Sequence, residues 1–244
     1  MRLVTWNANM GFHRKYQSLL DLGPDIAVVQ EVANIETLRA KAPDFAFTDA
    51  VWVGENTQKG IAVFTFDGSA LTVDSSYNPD IVHVVPVHVR GKRYLNLLAV
   101  WAFNGRDKGR GDKSLGQIRQ ALQEYGDFTD SNNLIIAGDF NNNASWDRGL
   151  KPNNFREVCR ALEERNCASV YHRKTGSEWG KETDKTLFWR DRNSAGPHNY
   201  HVDYVFVSNG LLAEGYRFGL GNFEDWCGAG LSDHVPLILD ISID

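Results

Sequence analysis

Apolar residues in this chain fall into short runs closed by polar groups. The clearest run spans residues 134–141, Leu-Ile-Ile-Ala-Gly-Asp-Phe-Asn. Four apolar positions and a glycine predict a strand buried on both faces. If the backbone stays extended beyond them, Asp139 and Asn141 point to the same side. Comparable runs lie at 2–6, 25–29, 51–53, 60–66, 82–89, 94–101, 186–189, 201–207 and 235–241. Glycines and the Asn78-Pro79 pair punctuate the middle runs as hairpins and meanders require. Apolar spacing of three and four predicts helices over 13–22, 35–39, 115–125 and 155–162. Gly23-Pro24 stops the first, Ser114 caps the third, and Pro152 suits the opening turn of the fourth. Strands and helices alternate without a strict βαβ rhythm. The pattern therefore predicts an α/β fold of two mixed sheets packed face to face with helices outside.

Polar groups recur at matching ends of these strands. Four strands finish on them, at Asn7, Glu31, Trp101 with Asn104, and Asp139 with Asn141. Two begin on them, at His201 with Asp203 and at Asp233 with His234. Any one pair reads equally well as an ordinary turn, since Asn and Asp favour turns. Six sets that include Glu31, His201 and His234 predict convergence at one mouth, with four strands running toward it and two away. Carboxylates, amides and imidazole suit a hard divalent cation, Mg²⁺ or Mn²⁺. A histidine with Asp203 and Asp233 available to it, plus Asp139 to orient or deprotonate water, fits metal-assisted attack on a phosphoester.

Composition narrows the setting. With 244 residues, 42% of them hydrophobic, the chain can bury one large core. No linker divides it, so 1–244 reads as a single domain. Its net charge of −5 means that any polyanion must be met by a local basic patch. No apolar run suits a signal peptide or a membrane span, and no protein partner is inferable. Three cysteines without metal-ligand spacing read as reduced thiols, which predicts a cytoplasmic protein.

Taken together, Thr5-Trp6-Asn7, Gln30-Glu31, Gly138-Asp139-Phe140-Asn141, His201-Val202-Asp203-Tyr204 and Ser232-Asp233-His234 resemble the endonuclease/exonuclease/phosphatase superfamily. The resemblance implies a four-layered α/β sandwich and Mg²⁺-dependent phosphoester hydrolysis. It implies Glu31 as metal ligand, helped by Asn7 and Asp233. Asp139 would act on the attacking water, Asn141 would bond the scissile phosphate, and His234 would donate to a phosphate oxygen with Asp203 fixing its tautomer and charge.

The branch turns on the strand that ends at Trp101. Phosphatase, sphingomyelinase and pancreatic-type deoxyribonuclease members carry a histidine there. The exonuclease III and abasic-endonuclease branch carries a tyrosine and, three residues on, a polar side chain. Trp101 with Asn104 has the second spacing, but tryptophan offers only an N–H donor. It reads equally as a core aromatic and as a phosphate-side residue. Thr186-Leu-Phe-Trp ahead of the His-Val-Asp-Tyr motif resembles the same branch, with Phe188 read as sheet core and Trp189 as a possible stacking surface. Trp226 is a pocket candidate because no strand pattern claims it. Arg106, Lys108, Arg110 and Lys113, His172-Arg173-Lys174, Arg190 and Arg192 are candidate phosphate contacts. The resemblance thus implies a DNA nuclease acting on a duplex or duplex end. A small-molecule or lipid phosphodiesterase or phosphatase and a catalytically silent nucleic-acid binder are the alternatives.

Overall fold

The computed structural model describes residues 1–103, 115–189, 196 and 198–242. Its strands, in chain order, are β1 (Arg2–Asn7), β2 (Ile26–Val32), β3 (Asp49–Asn56), β4 (Lys59–Thr65), β5 (Ala70–Val73), β6 (Val84–Arg90), β7 (Tyr94–Trp101), β8 (Leu134–Asp139), β9 (Cys167–Ser169), β10 (Leu187–Phe188), β11 (Asn199–Tyr200), β12 (Asp203–Ser208), β13 (Tyr216–Leu220) and β14 (Leu237–Ile241). The helices are α1 (Tyr16–Leu20), α2 (Ile35–Lys41), α3 (Gln117–Glu124), α4 (Gly126–Thr129), α5 (Phe155–Glu163), α6 (Val170–Thr175) and α7 (Asn209–Ala213).

Two six-stranded sheets result, in the orders β13-β14-β1-β2-β4-β3 and β5-β6-β7-β8-β12-β9. Both are mixed. β1 runs parallel to β2, and β7 to β8, while β14 and β12 pair antiparallel with β1 and β8. Strand alternation explains how they stack. Leu3, Val28, Leu97, Ala99, Ile135, Ala137, Val205 and Leu239 form the core between the sheets. Val4, Trp6, Ala27 and Val29 face the other way, onto Leu19 of α1 and Leu38 of α2. Leu134, Ile136, Tyr204 and Phe206 meet Ile118, Leu122, Phe128, Phe155 and Leu162 from α3, α4 and α5. The result is the expected sandwich of helices, sheet, sheet and helices.

The local differences have physical causes. The helix expected over 13–22 is split into a 3₁₀ turn, Phe12–Arg14, and α1. The break falls at Lys15, whose backbone is non-helical (φ −135°, ψ 3°) and whose half-buried ammonium reaches the carbonyls of Ala8 and Leu231. α5 starts after an Asn154 cap position rather than at Pro152, and the expected cap of α3, Ser114, lies outside the described residues. The strand expected over 186–189 pairs only at Leu187–Phe188. β5, β9, β11 and β13 fall outside the expected strands; they are short, and β5 and β13 are half exposed, so none shows a clear apolar run.

Candidate active site

The inter-sheet rows turn polar at one rim. On β1 the inward series Leu3, Thr5, Asn7 ends in an amide, and on β8 the series Ile135, Ala137, Asp139 ends in a carboxylate. Asp203 opens β12 directly opposite Asp139. β2 needs a distortion to contribute. A register shift against β4 between Gln30 and Val32 sets Glu31 at φ +58°, a left-handed backbone that turns its carboxylate out of the ladder. β8 needs a glycine: at Gly138, φ +148°, a Cβ would lie 1.8 Å from the Val100 carbonyl oxygen.

Asp139 is fully buried and its oxygens are held by donors. Oδ2 accepts from Asn7 Nδ2 at 2.9 Å and from Asn141 Nδ2 at 2.8 Å, and Oδ1 accepts from the Asn141 backbone N–H at 2.8 Å. Asn141, itself at φ +46°, also donates to the Ala102 carbonyl. Both of its amide hydrogens are thereby used, so bonding a phosphate would mean exchanging one of these contacts. Across the strand pair, His234 Nδ1 lies 2.9 Å from Asp203 Oδ2, leaving Nε2 for the recess that His234 lines. The indole N–H of Trp6 donates to the His234 carbonyl, and the Ser232 hydroxyl ties the His234 N–H to the Asn7 carbonyl.

Burial disfavours an imidazolium at His234, but the carboxylates of Asp203 and Asp139 outweigh it and hold the pKa up, to about 10. Burial, reinforced by Asp203, pushes Asp139 up to about 7 against the pull of His234 and its amide donors. The rim thus holds a cationic donor next to a carboxyl that titrates near neutrality.

Asp139, Asp203 and His234 bring ligand atoms within 4.8 Å of one another, close enough to hold a metal ion. Their hydrogen bonds argue otherwise: Asp203 is paired with His234 Nδ1, and Asp139 already accepts three N–H groups, which leaves it one acceptor site toward the recess. Glu31 and Asp233 line the same recess and fit a divalent cation better: Asp233 is little engaged, and the one strong contact of Glu31 is a half-exposed ion pair to Lys59. The recess, about 500 Å³, is lined on this side by Asn7, Glu31, Asp139, Asn141, Asp233 and His234. Its other wall is apolar and aromatic: Phe103, Trp146, Leu187, Trp189 and Tyr200. Trp146 and Tyr200 meet edge to face at 4.8 Å, and Trp189 is 45% exposed.

Several expected site residues lie elsewhere. Trp226 is not in the recess; it is buried against Trp6, ring centroids 4.8 Å apart, beneath the backbone that carries His234. Trp101 does not line the recess either, although it is the ladder partner of Asp139. Alternation on β7 puts it in the inward row above Ala99, 3% exposed, against His83 and Phe103. His201 misses the mouth, being buried with Nδ1 on the Asp184 carbonyl and its pKa driven down to about 4 by burial. His172 pairs with the buried Glu182, while Arg173 and Lys174 bond Asn209 and the Phe218 carbonyl. Phe188 is sheet core, as read. Asn104, Arg106, Lys108, Arg110, Lys113, Arg190 and Arg192 lie outside the described residues. Sequence reasoning missed Trp146, Tyr200, Leu187 and Phe103, which come from a 3₁₀ turn, two-residue bridges and a strand exit with no periodicity to mark them.

The model of the Endonuclease/Exonuclease/phosphatase family matches residues 4–234. The chain belongs to that family. It is accordingly a hydrolase of phosphodiester bonds. A search of the curated proteins finds no match. Among solved structures, a 3'-5' exonuclease of Neisseria meningitidis is similar over 100% of both chains, with a TM-score of 0.69 and 16% identity. An AP endonuclease of Archaeoglobus fulgidus also covers 100% of both, at 0.72 and 14%. TDP2 of D. rerio, complexed with single-strand DNA product, covers 100% of this chain and 99% of its own, at 0.63 and 16%. At these identities the likeness is one of fold.

Proposed function

We propose that this family member is a Mg²⁺-dependent DNA phosphodiesterase of the exonuclease and abasic-endonuclease type. The observation that carries the reading is the two-sided recess. One wall carries Asp139, His234, Glu31 and Asp233, with Asp203 behind His234, and the other is a cluster of aromatics. Stacking on such a wall favours a nucleobase or an unstacked sugar, and it tolerates any sequence because every base has a π-face. The DNA product carried by the TDP2 structure, and the product DNA hairpin bound to the Neisseria enzyme, support a nucleic-acid substrate.

In this reading Glu31 holds the metal, with Asp233 and Asn7 beside it. The metal would supply Lewis-acid polarisation of the phosphate and lower the pKa of a coordinated water. Asn7 and Asn141 orient Asp139, which accepts the proton of the attacking water. His234 donates from Nε2 to a non-bridging oxygen, its charge held by Asp203. Mn²⁺ satisfies the same oxygen donors. The three unpaired cysteines support a cytoplasmic setting.

The test uses purified protein with Mg²⁺ and labelled duplexes that are intact, nicked, or carry an abasic analogue. Cleavage of at least one is expected. If none is cut while a simple phosphodiester is hydrolysed, the small-molecule reading replaces this one. If nothing turns over yet DNA binds with steep salt dependence, the protein is a silent binder.

A further inference from the structure

Glu31 lines the recess with a cation already on it. Lys59 Nζ stands 3.0 Å from Glu31 Oε2, with 39% of the lysine and 18% of the glutamate side chain exposed. The backbone builds this contact. The β2 bulge turns Glu31 outward, and Gly60, paired with Val32 just beyond the bulge, follows Lys59 at the start of β4. A Cβ at Gly60 would lie 2.4 Å from the Val53 carbonyl oxygen, so glycine is what lets the strands close at that point. The ammonium also sits 5.0 Å from the Trp101 ring, within cation–π reach. Beneath Trp101, His83 is 6% exposed, neither ring nitrogen has a hydrogen-bond partner, and burial and Lys59 hold it neutral. It brings no second charge to Glu31.

An ammonium on a metal-ligand carboxylate must give way before a divalent ion can bind it. Displaced, it retains its flexible stem and its aromatic seat, and a phosphodiester seated in the recess beside Glu31 would be the new anion it meets. It also places a cation on the β7 side of the site, where Trp101 offers only an N–H and is turned inward. We propose that Lys59 is a tethered cation that occupies Glu31 in the metal-free enzyme, competes with the divalent ion for that carboxylate, and passes to the phosphodiester once the ion has taken it. This rests on the reading of Glu31 as a metal ligand.

Mn²⁺ titration followed by electron paramagnetic resonance, without DNA, tests the first half. Lys59→Met should tighten Mn²⁺ binding roughly two- to fivefold, the scale of one half-exposed ion pair, and Lys59→Arg should not. The second half is read at saturating Mn²⁺ in an Asp139→Asn background that blocks turnover. There Lys59→Met should weaken binding of a short oligonucleotide by roughly tenfold or more, as loss of one charge-assisted contact does, and Lys59→Arg should preserve it. Unchanged Mn²⁺ affinity in Lys59→Met, or unchanged oligonucleotide affinity, overturns the proposal. Glu31→Gln separates the two readings. If it leaves Mn²⁺ binding intact, the ligand assignment itself is wrong; if it weakens Mn²⁺ while Lys59→Met changes nothing, only the role of Lys59 falls.

Discussion

His234 and Asp139 are both displaced upward, yet their displacements act oppositely on stability. The His234 pKa rises from 6.5 to about 10, so its charge pairing stabilises the fold fully below pH 6.5 and is lost as pH climbs toward 10. The Asp139 pKa rises from 3.8 to about 7, so the unfolded chain ionises first and stability falls as pH rises across that window. Asp139→Asn keeps the shape and removes the buried charge. Turnover should fall by about 10²–10⁴, the range of a lost general base, while the protein stays folded, the relief of the buried charge being offset by lost acceptors for Asn7 and Asn141. A variant that retains turnover would end the water-activation role. Asp203→Asn removes the partner that keeps His234 cationic. The alkaline limb of the kcat/KM–pH profile should then move down by about one unit or more. An unmoved limb would mean that His234 does not carry the donated proton.

At the scale of elements, the strands that read most clearly are the ones buried on both faces. β7 and β8 match their apolar runs because nothing but the ladder and the two cores acts on them. Legibility fails where tertiary contacts override local pattern: the helix breaks at Lys15, whose ammonium bonds two distant carbonyls, and Trp226 lacks a strand pattern because it packs from a π-helical turn. The acidic and imidazole half of the site was legible, since its residues flank or close the apolar runs of β1, β2, β8, β12 and β14. The aromatic half was largely not, since Trp146 and Tyr200 sit on elements of two or three residues. Gly138 shows how tightly β8 is constrained. Gly138→Ala forces a Cβ onto the Val100 carbonyl, and it should cost about 3 kcal/mol or more, lowering Tm by at least ~6 °C or abolishing folding. A normal melting curve would show that β7 and β8 can part without loss. Tyr200→Ala and Trp189→Ala should each raise KM for oligonucleotides about tenfold, as loss of one base stack does, and leave hydrolysis of a small phosphodiester unchanged. Equal effects on both substrates would mean that the wall is structural.

At the scale of the molecule, a net charge of −5 coexists with a site built to meet phosphate. The two are compatible because the recess lies at one rim of the inter-sheet core, where Glu31, Asp139 and Asp233 gather on one side. Without a divalent ion these carboxylates repel a polyanion at close range, and His234 and Lys59 offset them only in part. Metal binding should therefore be coupled to the stability of the whole fold, because Glu31 reaches the site only through the folded β2 bulge. At a free Mg²⁺ concentration tenfold above its Kd, linkage stabilises the native state by about 1.4 kcal/mol, which for a chain of this length raises Tm by about 3–5 °C. Differential scanning calorimetry with Mg²⁺ and with EDTA reads that shift directly. Glu31→Gln should melt near the metal-free wild type and respond to Mg²⁺ by less than about 1 °C. A full shift in that variant would move the metal from Glu31 toward the Asp139, Asp203 and His234 group.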